Sequence, residues 1–341
     1  MAGWVLGSHR SGTSLLCSIL RNLAASPHLE KLGPGLPTTI GNPAGYHESA
    51  ALVEVNDRLL RWAGSTWDRP FIAPPAWDDP KSLQLIVRLR TSLKRHTTHE
   101  DWIDKDPRLC LTRDALCHLL LRDPAAIAVM RNPLAVANSL HKRNGFALRK
   151  GAAIWMLYNL HLFNSRSRPP ETIVLFDDLV SPDEQVRLRV ATDLAAFSAT
   201  AAGETLTEER SDALQKRALS QLVRSQRVEL VRSDACWRSE HDGPLTDMIE
   251  DIWVGCCEII RGGNDQEMGL FLRNAWATVS PVLQPEVAIP LHEPHKSGVT
   301  MSKSLSSLRG RASPLKRQLK ELAQRGKGRA ATKPNPPRLL S

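Results

Sequence analysis

An α/β fold is predicted for this chain: three layers around a central parallel sheet, a helical C-terminal part, and a basic tail read as disordered or only locally helical. Three observations predict it. Short apolar runs at 3–7, 102–104, 125–130 and 172–176 have the length and composition of buried parallel strands. Helix-period segments lie between them, and strands alternating with helices imply a parallel sheet covered on both faces. The first run ends in a glycine-containing polar turn that opens straight into an apolar helix, an arrangement that presents backbone N–H groups to an anion.

The elements follow in order. After the first strand and turn, helical spacing covers 13–24. Residues 27–48 are rich in Gly and Pro and are expected to form a long loop over the sheet, a length that marks function or mobility. Apolar residues recur at i, i+3, i+4 and i+7 through 49–62, and similar patterns cover 81–95, 109–121, 133–143 and 151–164. The proline-rich stretch 68–80 reads as a second irregular cover. Beyond about residue 200 the pattern is helical only, at 205–231, 245–261 and 265–279. The organisation expected is one domain over 1–291, with a motif-bearing core (1–200) and a helical part (205–280), followed by a flexible tail over 292–341.

Composition narrows the class. The chain has 341 residues, 42% of them hydrophobic, enough for a sizeable core. Its net charge of +9 belongs to the tail: residues 292–341 hold 12 Lys/Arg and 2 Asp/Glu, leaving 33 basic and 34 acidic groups in the other 291 residues. The body is therefore near neutral, and the tail could meet nucleic acid or an anionic membrane surface as a weak anionic partner, or serve only solubility. Six cysteines without C-x-x-C spacing read as reduced thiols of a cytoplasmic protein. Gly7, His9 and Arg10 interrupt the first apolar run, so no signal peptide is expected, and no stretch approaches the ~18 apolar residues of a membrane span.

Residues 3–16 read Gly-Trp-Val-Leu-Gly-Ser-His-Arg-Ser-Gly-Thr-Ser-Leu-Leu. From Gly7 to Ser14 they match the P-loop pattern G-x-x-x-x-G-K-[ST] at every fixed position but one: Thr13 stands where the lysine belongs. Such a P-loop-like turn can hold a phosphate through its N–H groups and the helix dipole. It lacks the lysine that reaches the β/γ-phosphates of a nucleoside triphosphate, and carries Arg10 instead. The pattern points to a phosphorylated, nucleotide-like donor other than ATP. A second motif follows the third apolar run. Arg131 ends the strand, Asn132 suits an N-cap, Pro133 suits the first helical position, and Ser139 lies about two turns on. An arginine at a strand end offers a charge-assisted grip on phosphate.

Together these motifs resemble the sulfotransferases that use 3′-phosphoadenosine 5′-phosphosulfate (PAPS). In that family a loop reading roughly [KR]-x-G-T-[ST], here Arg10-Ser11-Gly12-Thr13-Ser14, holds the 5′-phosphosulfate. A motif R-x-P-x(5)-S, here Arg131-Asn132-Pro133 with Ser139, holds the 3′-phosphate. The resemblance covers about residues 1–200 and is closest to bacterial-type members, which share segments like Gly45-Tyr46-His47-Glu48-Ser49, Lys105-Asp106-Pro107-Arg108 and Val174-Leu175-Phe176-Asp177-Asp178-Leu179. It implies a transferase that moves a sulfuryl group from PAPS to an unidentified hydroxyl or amine acceptor on a carbohydrate, lipid or small metabolite, without a metal. It also implies that Arg10 binds the bridging oxygen and 5′-phosphate, that Ser11, Gly12, Thr13 and Ser14 complete the cradle, and that Arg131 and Ser139 take the 3′-phosphate.

The chain departs from the family in two places. Cytosolic members carry a basic histidine two residues after a strand-end lysine, but here Lys105 is followed by Asp106 and Pro107. Other members use a glutamate after the first helix, which makes Glu48 the candidate base, His47 the reserve, and Lys105 a group that steadies the sulfuryl. A late R-K-G loop over the 3′-phosphate has no clear counterpart.

Plainer readings stand beside these. The first turn alone is an ordinary strand–helix junction, and Arg131 alone an ion-pair partner. Glu48 is equally an acid at the start of a helix near Ser49. Two other functions compete: a P-loop kinase or NTPase using Mg-ATP, with Asp177 as the metal-binding acid, and a non-catalytic nucleotide-fold protein that binds anionic partners through its tail.

Overall fold

The computed structural model describes residues 2–24, 48–99, 102–205, 207–225, 243–263, 265–288 and 317. His47, the rest of the 27–47 loop and, apart from residue 317, the 292–341 tail lie outside the described residues.

Four strands form one sheet: β1 (Ala2–Leu6), β2 (Trp102–Lys105), β3 (Ala125–Met130) and β4 (Thr172–Leu175). Their order is β2-β1-β3-β4 and every pairing is parallel, with Val5 opposite Lys105, Leu6 opposite Ala128 and Met130 opposite Leu175. Nearly every strand residue is buried. That explains why these segments read as continuous apolar runs rather than alternating ones: both faces are covered. The chain leaves β1 for β2 on one side, then returns past β1 to lay β3 on the other. The order thus reverses between β1 and β3, and the crevice at a parallel sheet's carboxyl edge opens at that point.

The helices are α1 (Thr13–Ala24), α2 (Ala50–Trp62), α3 (Pro80–Leu89), α4 (Lys94–Thr98), α5 (Leu109–Leu120), α6 (Pro133–Asn144), α7 (Leu148–Phe163), α8 (Phe176–Leu179), α9 (Glu184–Ala202), α10 (Glu208–Ser225), α11 (Gly243–Arg261) and α12 (Met268–Leu283). Helices α1, α9 and α10 pack together, and α9 runs over β1, β3 and β4. On the other side α7 is the centre, against α5, α6 and α12. Every residue from Gly151 to Leu162 of α7 is buried, as expected of a helix with neighbours all round. Gly151 lets α6 and α7 close, since a Cβ there would lie 2.6 Å from the Ala137 Cα. Two α7 side chains one turn apart pin the irregular 63–79 segment: the Tyr158 hydroxyl donates to the Trp67 carbonyl and His161 Nε2 to the Phe71 carbonyl, each at 2.8 Å.

Two differences separate the structure from the expected elements. The 81–95 pattern is not one helix: α3 passes into a 3₁₀ turn at Arg90–Leu93 and restarts as α4. Helix α9 has no counterpart among the expected elements. Alanines lie on both its buried face (Ala191, Ala195, Ala199) and its exposed face (Ala196), and Leu188 is exposed, which leaves little hydrophobic contrast, although Asp183 caps its start and Gly203 (φ 66°) its end. Among the described residues no helix is long and apolar enough to cross a membrane, and no cluster of three or more His, Cys, Asp or Glu could hold a metal.

Candidate active site

The loop after β1 is shaped by two glycines. A Cβ on Gly7 (φ 149°) would lie 2.6 Å from the Val129 carbonyl oxygen, so only glycine lets the end of β1 lie this close to β3. A Cβ on Gly12 (φ 98°) would sit 2.3 Å from the Phe176 ring. Between them Arg10 holds a left-handed conformation (φ 67°), a strain of about 1–2 kcal/mol in a non-glycine residue. Ser11 N–H closes the turn on the Ser8 carbonyl (3.2 Å), and the two serine hydroxyls meet at 2.5 Å. Leu16 N–H then bonds the Gly12 carbonyl, which starts α1. No acidic residue stands in the first turn of α1 to answer its dipole.

The end of β3 meets this loop. Asn132 caps α6 by accepting from Leu134 N–H (2.9 Å) and Ala135 N–H (3.1 Å), with Pro133 in the first turn, as its sequence requires. Trp155 Nε1 holds the Arg131 carbonyl at 2.9 Å. The Arg131 guanidinium lies 4.3 Å over the Phe176 ring, and its Nη1 donates to the Arg10 carbonyl at 3.2 Å. Arg10 Nε in turn donates to Ser139 Oγ at 2.8 Å. The loop and the second motif, joined by contacts across 121 and 129 residues of sequence, thus form one cluster of Arg10, Arg131 and Ser139. Burial holds the Arg131 guanidinium below its ordinary pKa, the Asp177 carboxylate works against that, and the Arg10 charge adds to it. No carboxylate lies within ion-pair distance of Arg131 among the described residues. Two cations and a helix N-terminus thus meet at the carboxyl ends of β1 and β3.

The third component is the end of β2. Lys105 Nζ and Glu48 Oε1 are 2.5 Å apart and both side chains are buried. Burial pushes the Glu48 carboxyl above its ordinary pKa, and the Lys105 charge opposes it. Glu48 immediately precedes the α2 cap, where Ser49 Oγ accepts from Leu52 N–H and Ser49 N–H reaches Asp104. Asp106 is held by Asn56 Nδ2 (2.9 Å) and by the Arg108 backbone N–H and guanidinium (3.0 Å each), while Arg108 also pairs with Asp57 at 2.7 Å. The Lys-Asp-Pro-Arg segment is therefore a buried polar frame at the strand end. Asp177 lies in the first turn of α8 beyond β4, with β3 between it and β1.

Sequence reasoning gave His9 no role in the site and overlooked Tyr158, Trp67 and Phe176 as parts of it. His9 Nε2 lies 3.2 Å from the Tyr158 hydroxyl, and its ring packs against Trp67 at 4.7 Å between centroids. A histidine inside a phosphate-loop pattern was the available signal. Nothing in the sequence links it to a tyrosine 149 residues away.

The fold and these side chains define a parallel-sheet α/β protein with a cationic cluster at its topological switch point. No family model, curated protein or solved structure matches the chain.

Proposed function

We propose that this chain is a sulfotransferase that binds PAPS in the cleft between the β1 and β3 ends. It transfers the sulfuryl group to a hydroxyl or amine of a carbohydrate, lipid or small metabolite. The observation that carries the reading is the Arg131–Arg10–Ser139 cluster, in which the two anion-binding motifs meet. PAPS carries two separate anionic groups on one nucleoside, and the cleft offers two guanidiniums beside a helix N-terminus. Arg131 and Ser139 take the 3′-phosphate, and the loop N–H groups with Ser11, Gly12, Thr13 and Ser14 take the 5′-phosphosulfate.

In the transfer, the acceptor oxygen or nitrogen bonds to sulfur as the bond from sulfur to the bridging oxygen breaks in line. The electron pair stays on the departing 3′-phosphoadenosine 5′-phosphate (PAP). As in phosphoryl transfer, the protein supplies position and charge stabilisation rather than covalent chemistry. Arg10 answers the charge growing on the bridging oxygen. Lys105, oriented by Glu48, faces the transferring sulfuryl. The Mg-ATP reading has less support: Thr13 replaces the lysine, and Asp177 follows β4 rather than a strand beside β1.

Calorimetric titration tests the proposal. Micromolar, metal-independent binding of PAP that Arg131→Ala abolishes is the expected result. Preference for Mg-ATP promotes the kinase reading. Binding to neither, together with salt-sensitive binding of anionic polymers that deletion of 296–341 removes, promotes the binding-protein reading.

A further inference from the structure

The reaction needs a group to receive the acceptor's proton, and the motifs suggest His47 or Glu48. His47 lies outside the described residues, and Glu48 Oε1 is held by Lys105. A different group stands in the phosphate loop. The Tyr158 hydroxyl has one proton, and it goes to the Trp67 carbonyl at 2.8 Å. The hydroxyl must therefore accept in its contact with His9, so His9 Nε2 carries the ring proton and donates across 3.2 Å. That fixes the neutral tautomer and leaves the Nδ1 lone pair as the ring's acceptor. No described residue occupies Nδ1: His9 makes a hydrogen bond through Nε2 alone and ring contacts with Trp67 and Tyr158.

We infer that His9 Nδ1 is the general base that takes the proton from the acceptor's O–H or N–H, with Tyr158 as the positioning residue that sets its tautomer. This rests on the sulfotransferase reading. The step balances: the acceptor's O–S or N–S bond forms, its proton passes to Nδ1, the bond to the bridging oxygen breaks, and PAP leaves with the electron pair. The residue before the P-loop arginine is thereby placed in the chemistry, one position from the group that stabilises the leaving oxygen.

The surroundings support a neutral ring. Arg10 from the loop, Lys105 from β2, Arg108 ahead of α5 and Arg143 from α6 all face it, and Tyr158 from α7 is un-ionised. Burial first, and then these charges, hold the imidazole well below its ordinary pKa. An enzyme at pH 7 therefore keeps the basic form, and bound donor phosphates offset the four cations and strengthen the base when it is needed.

The test uses the full chain, radiolabelled PAPS and water as the probe acceptor, which presents the same O–H. Release of inorganic sulfate is followed against pH, and PAP affinity is measured in parallel. Wild type is expected to release sulfate, with the rate levelling off by pH 7 and falling as His9 protonates. His9→Ala should lose about 100-fold or more while PAP affinity stays within about threefold, and added imidazole should restore turnover. Tyr158→Phe should lower the rate with little change in PAP affinity, and ¹⁵N spectra of its His9 ring should show both neutral tautomers where wild type shows one. A His9→Ala protein that keeps its rate, or one that imidazole leaves unmoved, overturns the assignment. So does a wild type that binds PAP and releases no sulfate, or one whose His9 ring carries its proton on Nδ1. If wild type does not bind PAP, the donor reading itself fails, a result that the parallel titration separates from failure of the base.

Discussion

Arg131 reaches from the end of β3 to the Arg10 carbonyl, with Nη1 3.2 Å from the oxygen, so one motif's cation holds the backbone of the other. The contact supports Arg10 in its left-handed conformation and keeps the two guanidiniums near enough for the Arg10 charge to act on Arg131, an arrangement that favours an anion. It also separates two roles that a sequence motif cannot: Arg131 both shapes the loop and offers charge.

The first prediction follows from that double role. Arg131→Lys keeps the charge but loses the planar fork and the stacking on Phe176, so PAP affinity should fall about 30-fold, near 2 kcal/mol. Arg131→Ala should cost about 100-fold or more. Calorimetry of both variants, with circular dichroism to verify the fold, checks the order. Equal affinity for Lys and Arg would mean that the site reads charge alone.

Gly12→Ala should be severely destabilising. The new Cβ would lie 2.3 Å from Phe176 at a φ of 98°, so it meets both a ring and an unfavourable backbone region. A loss of about 2–4 kcal/mol is expected from overpacking and strain together. Gly12→Ala with Phe176→Leu should recover only the steric part. Thermal melts of the single and double variants measure the split.

Much of the fold was legible because each strand is buried on both faces and so reads as an unbroken apolar run. The ends of α1 and α6 were equally legible, since Gly12, Asn132 and Pro133 signal starts through local chemistry. Helix α9 was not, because alanines on both of its faces and an exposed Leu188 leave too little contrast to reveal the buried one. At the site, the motifs named Arg10, Arg131 and Ser139 but not that Arg10 Nε meets Ser139. That contact depends on β3 lying beside β1, a topological fact. The His9–Tyr158 and Glu48–Lys105 pairs are long-range in the same way, and no local pattern encodes them.

The Glu48–Lys105 pair makes a prediction about pH. Lys105→Met leaves a buried carboxylate without its cation, which should cost about 3–5 kcal/mol at pH 7. Burial already raises the Glu48 pKa, and loss of Lys105 raises it further. In this variant the protonated form is favoured as pH falls, so the deficit against wild type should shrink toward pH 5. Glu48→Gln with Lys105→Met should be more stable than Lys105→Met alone. Denaturant melts at pH 5 and pH 7 give the comparison, and an equal deficit at both would mean that Glu48 stays ionised without its partner.

His161 sets the acid limit of the fold. Its ring donates to the Phe71 carbonyl and is buried, and burial lowers its pKa to about 4. The unfolded chain titrates this group near 6.5, so above that pH the folded and unfolded states hold the same neutral imidazole. As pH falls from there toward 4, only the unfolded state takes up the proton. Stability is therefore present above the unfolded value and drains away by about 3 kcal/mol across that interval. His161→Gln retains a donor for the Phe71 carbonyl but cannot titrate, so its stability should fall less steeply between pH 6.5 and 4 even if it is lower at pH 7. His9 is depressed in the same direction, so the variant's profile should be shallower rather than flat. Urea unfolding followed by tryptophan fluorescence at half-unit pH steps would measure both slopes. Parallel profiles would show that the α7 contact with the 63–79 segment is not what acid disrupts.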